Sequence, residues 1–229
     1  MQAKKPEAKK KIVIPVVAVI GVALVLFLSN RPARMPNGMP VIESEEQYNY
    51  ALQKVTQSTP TAVGKFNVGL DLDQKDKDVC LEGAKTFDTM NAFRPDMAAG
   101  YFEAGLLYYL GGDTDSALSR LDQCLANADQ PFNLKTEKDK AAVDAVVADC
   151  HHMLSLVAFD RHDYQTALQE ANAAFAKVKP RPGYYVARAR AEIQLNKNSE
   201  ARKDVSAALK LDPSYLPAHS LDGFLKHTS

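Results

Sequence analysis

The amino-acid sequence predicts an all-α fold made of antiparallel helical hairpins, and two observations support this prediction. First, two helical patterns of apolar residues, 184–195 and 199–211, follow each other with only three residues between them and end before Pro213. Second, the small residues of the later pattern recur 34 residues earlier. One hairpin cannot bury both of its faces, so the repetition indicates a stack of hairpins that share a core.

The second helix of each hairpin carries small or apolar residues at three equivalent positions. These are Ala117, Leu121 and Cys124 in the first copy, Ala167, Ala171 and Ala174 in the second, and Ala201, Val205 and Ala208 in the third. The first helix of each copy carries a small residue where two helices would cross, namely Gly105, Ser155 and Ala189. The turn residues are Gly112, His162 and Asn196, types that tolerate the left-handed backbone of a tight turn.

This pattern resembles the tetratricopeptide repeat, whose period is about 34 residues. The resemblance implies a short solenoid of stacked hairpins over residues 44–229. Repeats are expected at 98–131, 148–181 and 182–215, after a degenerate unit at 44–97 and before a capping helix at 214–227.

Within the degenerate unit, residues 73–92 have small and apolar residues at the spacing of a second helix. Residues 44–57 are the expected first helix of this unit. Residues 58–69, which contain Pro60 and Gly64, are expected to form a loop. The extra length between the first two full copies is assigned to a loop at 126–134 and to a first helix lengthened by residues 135–147.

The N-terminus predicts a membrane anchor. Residues 1–11 form a basic tail, and residues 12–28 contain no charged side chain, so a transmembrane helix is expected at 12–29. A cleaved secretory signal is the alternative, but Arg31 and Arg34 follow the span and make a poor cleavage site. A linker with three prolines is expected at 30–43.

The charge bias across the span predicts the orientation of the chain. Five lysines precede the span, against Arg31 and Arg34 after it, so the tail is expected in the cytoplasm. The helical domain is then expected in the periplasm, anchored to a bacterial inner membrane. In a eukaryote the same bias predicts a lumenal domain, unless an organellar signal anchor leaves the repeats in the cytosol.

Charge and cysteine content restrict the partners and the chemistry. Lys and Arg together number 28, as do Asp and Glu, but the basic tail leaves the rest of the chain acidic, which argues against nucleic-acid binding. The three cysteines have no metal-site spacing. Cys124 is expected to be a small core residue, and a Cys124–Cys150 disulfide is the alternative in an oxidising compartment.

The sequence offers little for catalysis, so we expect neither enzymatic activity nor a cofactor or metal. The adjacent His151 and His152 would point about 100° apart on a helix and could not chelate one ion. The acidic run from Asp71 to Asp78 lacks the glycine and the terminal glutamate of a calcium-binding loop. No phosphate-binding or nucleophile motif is present in the sequence.

The resemblance to the repeat family implies a partner-binding groove lined by the first helices. Its expected residues are Phe102, Leu106, Tyr109, His152, Leu156, Phe159, Val186, Arg190 and Ile193. The alternative is that the domain's own helix at 44–57 fills the first third of this groove. A basic cluster could also meet an acidic partner or lipid headgroups, or could simply be a solvated face; it comprises Arg181, Arg188, Arg190, Arg202 and Lys203.

Two functions therefore stay open. In the first, the protein is a membrane-anchored adaptor whose repeats bind a partner protein or peptide at the membrane surface. In the second, it is a small structural subunit of a large integral membrane complex and is held through its transmembrane helix. The second receives little support, because Ala18 and Gly21 lack the four-residue spacing that favours helix pairing.

Overall fold

The structure is a computed structural model that describes residues 41–130 and 136–227. The predicted tail, the transmembrane helix and most of the linker lie outside these residues. The described residues form ten α-helices and no strand. The helices are α1 (Glu45–Ser58), α2 (Pro60–Asn67), α3 (Gln74–Phe93), α4 (Ala98–Gly111), α5 (Thr114–Asn127), α6 (Glu137–Asp160), α7 (Tyr164–Phe175), α8 (Pro182–Gln194), α9 (Asn198–Leu211) and α10 (Leu216–His227).

Three successive hairpins, α4–α5, α6–α7 and α8–α9, form the body of the array, and neighbouring hairpins pack on one another. Each hairpin turns at a left-handed residue, as the sequence predicts. The φ angles are 88° at Gly112, 62° at His162 and 59° at Asn196.

The same pair of backbone hydrogen bonds closes each of these turns. In the first turn the N–H groups of Gly112 and Asp113 donate to the carbonyls of Tyr109 and Tyr108. The equivalent bonds recur at the other two turns, which shows that the three hairpins are copies of one local structure. Asp113 and Asp163 then cap the helices that follow by accepting from the backbone N–H groups of Ser116 and Thr166.

The predicted small positions lie where paired helices approach each other. Gly105 lies against Leu121, Ser155 Oγ donates to the carbonyl of Ala167 at 2.8 Å, and Ala189 is fully buried with Ala201. The core positions of the second helices, from Ala117 to Ala208, are all buried. The positions that recur every 34 residues therefore lie on the buried face of each helix.

The first unit departs from the regular repeat. Helix α1 packs on α3, as expected for a first and a second helix, and Tyr48 of α1 lies against Phe93 of α3. The predicted loop at 58–69 is wrong, because residues Pro60–Asn67 form the additional helix α2. Pro60 stands in the first turn of this helix, where its missing N–H costs no hydrogen bond.

Helix α6 is longer than the other first helices and begins at Glu137. Among the described residues it is the one helix that meets the length and composition of a membrane span, over Lys138–Asp160. Its side chains pack against α4, α5, α7 and α8, which is the usual environment of a core helix.

Helix α10 covers the end of the array by packing on α8 and α9. Of the apolar stripe expected on this helix, Leu225 is buried and Leu221 is half-buried, whereas Leu216 and Phe224 are exposed.

Candidate functional site

The first helices α4, α6 and α8 lie side by side, and we call the surface they share the inner face. Its clearest feature is a cluster at their carboxyl ends. Tyr109 Oη donates a hydrogen bond to Asp160 Oδ2 at 2.8 Å. The guanidinium of Arg190 lies over the ring of Phe159, with its Cζ atom 4.1 Å from the ring centroid. The cluster therefore joins three successive repeats.

The electrostatics of the cluster link its members. Burial raises the pKa of Tyr109, and the carboxylate of Asp160 raises it further, while the positive charge of Arg190 lowers it. The Tyr109 hydroxyl therefore stays protonated and serves as a donor at neutral pH. Within the described residues Arg190 has no ion-pair partner, so its N–H groups are available to an acceptor from outside the array.

The predicted groove residues separate into two groups. Members of the first group are half-buried and reach the surface; they are Phe102, Leu106, Tyr109, Phe159 and Arg190.

The other predicted groove residues face the packing between helices. Leu156 and Val186 are buried, with 6% and 7% of their surfaces exposed, so neither lines an open groove. Val186 packs with Ala208 and Ala218, and Ile193 packs on the cluster that contains Leu225. For Val186 and Ile193 the reason is that α10 packs on this side of α8, which the groove assignment did not include, whereas Leu156 of α6 belongs to the main core cluster.

His152 belongs to a separate contact near the amino end of α8. Its ring lies 5.0 Å from the ring of Tyr184, and burial lowers its pKa to about 4. Its neighbour His151 turns away and pairs through Nδ1 with Glu170 Oε2 at 2.7 Å. The described ranges hold no group of three or more His, Cys, Asp or Glu side chains that could bind a metal ion.

The predicted basic cluster is not a single patch. Arg188 makes a bidentate ion pair with Asp204, with distances of 2.6 and 2.8 Å, and Arg181 pairs with Asp149 and Tyr184. Because each of these guanidinium groups already has an acidic partner, Arg190 is the member with free donors on the inner face.

The carboxyl-end cluster also meets α2, which the sequence did not place at the site. Phe66 of α2 lies edge-on to Tyr109, with ring centroids 6.1 Å apart. The alternative that residues 44–57 fill the first third of the groove placed α1 here, but the aromatic contact with Tyr109 comes from α2. Phe66 lies in an insertion outside the repeat period, so no periodic signal could have identified it.

The sulfur atoms of Cys124 and Cys150 come together between α5 and α6, whereas Cys80 is buried and lies apart from them. The Cys124–Cys150 disulfide thus stays a prediction with a favourable placement. For Cys80, burial raises the pKa of the thiol to about 11, which keeps it protonated.

Comparisons with known proteins add little to this description. No family model matches the chain, and no curated protein matches it. One solved structure found by the comparison is the crystal structure of the APC/C hetero-tetramer Cut9-Hcn1, with a TM-score of 0.37 and 16% sequence identity. The match covers 81% of this chain and 40% of that chain.

The likeness to the repeat family lies in the helices of the chain itself. Three hairpins have identical turns, and their small residues meet at the predicted crossings. The described part of the chain is an all-α array of helical hairpins that resembles the tetratricopeptide repeat.

Proposed function

We propose that the protein is an adaptor that binds a partner protein through the cluster of Tyr109, Phe159, Asp160 and Arg190 on the inner face. The observation that supports this proposal is the placement of Arg190 over Phe159 without an ion-pair partner among the described residues. Arginine and aromatic side chains in such contacts are the residue types that dominate binding energy at protein interfaces.

The cluster offers both polar and apolar contacts to a partner. Arg190 supplies N–H donors, Asp160 supplies an exposed carboxylate, and the rings of Tyr109 and Phe159 supply apolar surface. An extended peptide or a short helix that carries an acceptor next to an apolar side chain would match this surface.

The adaptor is further proposed to be anchored in a membrane through residues 12–29, with its basic tail in the cytoplasm and the array in the periplasm of a bacterium. The support is the uncharged apolar run and the lysines that precede it. Alkaline phosphatase fused after Ser229 tests this orientation, because the enzyme is active only after export. Inactive fusions would contradict the proposed topology.

Partner binding is tested by affinity capture of the full-length protein after crosslinking in membranes. We expect one defined protein to be captured, and Arg190→Ala to reduce its yield by about tenfold or more, since loss of an interface anchor costs about 2 kcal/mol. Arg202→Ala is the matched control, because Arg202 is an exposed arginine of α9 that lies outside the inner face.

Two results would contradict the adaptor proposal. The first is equal capture by the Arg190 and Arg202 variants, which would place binding elsewhere. The second is loss of the partner when residues 12–29 are replaced by an unrelated anchor, which would favour a subunit held through its transmembrane helix.

A further inference from the structure

Helix α2 packs on α3 and α1 and reaches the inner face at α4. Its residue Phe66 contacts Tyr109, and Val63 and Phe66 pack on the main core cluster, which includes residues of α4 and α6. The contact resembles the binding of an amphipathic helix in a groove, except that the helix belongs to the same chain.

The loop that follows α2 continues to the far end of the array. A Cβ atom on Gly69 would lie 2.6 Å from Pro217 Cγ, so the loop touches the first turn of α10. Residues 60–72, which we call the covering segment, thus contact both α4 and α10.

Most residues of the covering segment are exposed, although Val63, Phe66 and Leu72 pack on the main core cluster. Ala62 is its one fully buried side chain, and the loop side chains Val68 and Leu70 are 47% and 52% exposed. Lys65 adds an ion pair to Asp76 at 2.5 Å, on α3 and not on the inner face. Short helices with little buried apolar surface open at low free-energy cost.

We infer that the covering segment is an internal competitor that occupies the Tyr109 end of the partner site, and that the partner presents a short amphipathic helix of the same kind. The expected partner helix carries a small apolar pair followed three residues later by an aromatic ring, as Ala62, Val63 and Phe66 do. This inference rests on the proposed function, because it specifies the partner of the same inner face.

A competitor of this kind lowers the apparent affinity for the partner. Only the fraction of molecules whose segment is released can bind the partner. The apparent dissociation constant is therefore the intrinsic one divided by that fraction. Because the segment is tethered, its effective concentration is in the millimolar range, and a free peptide must compete with it.

The test uses a fluorescent peptide with the sequence of residues 59–73 and measures its binding to the full-length protein by anisotropy. The release variant combines Phe66→Ala with Gly69→Val. The first change removes the ring from Tyr109, and the second places a β-branched residue at φ +76° and against Pro217. Tyr109, Phe159 and Arg190 stay intact.

We expect the peptide to bind the release variant about tenfold or more tightly than the unaltered protein, following the competition argument. A peptide with Phe66→Ala should lose this binding. A photoreactive residue at position 66 of the peptide should crosslink to α4 near Tyr109. Equal affinity for both proteins, no binding to either, or crosslinks only outside the inner face would overturn the inference.

A second variant covers the case in which the release variant fails to fold, as judged by its circular dichroism. Pro217→Ala removes the contact with Gly69 from the α10 side and leaves α2 unchanged. Like the release variant, it should bind the peptide more tightly than the unaltered protein does. Unchanged binding would then count against the inference. Peptide binding without partner capture would contradict the adaptor function alone, whereas capture without peptide binding would contradict the internal competitor alone.

Discussion

Gly105 of α4 and Leu121 of α5 touch so closely that a Cβ atom on Gly105 would lie 2.8 Å from Leu121 Cγ. Leu121 is fully buried and cannot move into solvent. The glycine therefore permits the close approach of the two helices of the first full hairpin.

The first prediction compares Gly105→Ala with Gly223→Ala. Both replacements gain about 1 kcal/mol of helix propensity, but the Gly223 site has no atom within 4 Å of the new Cβ, so only Gly105→Ala overpacks the core. We expect the Gly105 variant to be less stable than the Gly223 variant by about 1 to 3 kcal/mol in urea unfolding. Equal stabilities would mean that the α4–α5 crossing is not tightly packed.

The second prediction tests the repeat phase in the last hairpin. Ala201 is fully buried beside Ala189, whereas Ala207, six residues later, is half-buried and outside the small positions. Ala201→Leu should cost about 1 to 3 kcal/mol and lower the melting temperature, and Ala207→Leu should cost much less.

Hydrogen exchange locates the damage caused by Ala201→Leu. Because repeats couple mainly to their neighbours, protection should be lost first in α8 to α10 and retained longer in α3 to α5. Uniform loss of protection along the array would argue against this neighbour-limited coupling.

The third prediction concerns Glu192, which is 7% exposed and whose Oε2 accepts no hydrogen bond within the described residues. Burial, and then the negative charge of Asp204, raises its pKa from 4.5 to about 7. Between pH 4.5 and about 7 the folded protein keeps a proton on Glu192 that the unfolded chain has released. The free energy of unfolding should therefore fall as pH rises through this range.

Glu192→Gln removes this pH dependence. The variant should match the unaltered protein near pH 5 and exceed its stability at pH 8 by about 1 kcal/mol or more. Urea unfolding at both pH values measures the difference, with Glu46→Gln as the control, because Glu46 is an exposed glutamate of α1 and is not among the charges that act on Glu192. A stability difference that does not change with pH would show that Glu192 ionises as freely in the folded chain as in the unfolded one.

The fourth prediction concerns Cys124 and Cys150, whose side chains meet between α5 and α6. In protein exported to an oxidising compartment, thiol labelling in denaturant should find one reactive cysteine before reduction and three after it. Since the two cysteines are 26 residues apart, reduction should cost about 3 kcal/mol of stability.

A Cys124→Ser variant is the control for this measurement. It should label at two cysteines without reductant, namely Cys80 and Cys150. Three reactive thiols in the unaltered exported protein would show that the disulfide does not form.

The repeat itself could be predicted from the sequence because its constraints are local. A tight helical turn needs a residue that tolerates positive φ, and a close helix crossing needs a small side chain. The sequence therefore suffices to assign Gly112 and Asn196 to turns and Gly105 to a helix crossing. These requirements recur with each hairpin, and their spacing is visible in the sequence alone.

The surface of the inner face was decided only by the tertiary structure. Val186 has the spacing of a groove residue but is buried, because Ala208 of α9 and Ala218 of α10 pack on it. Phe66 lies in a segment interrupted by proline and glycine, yet this segment forms a helix that contacts Tyr109. Periodicity reports which face of a helix is apolar, but which neighbour covers that face depends on contacts between distant segments, and these do not repeat along the chain.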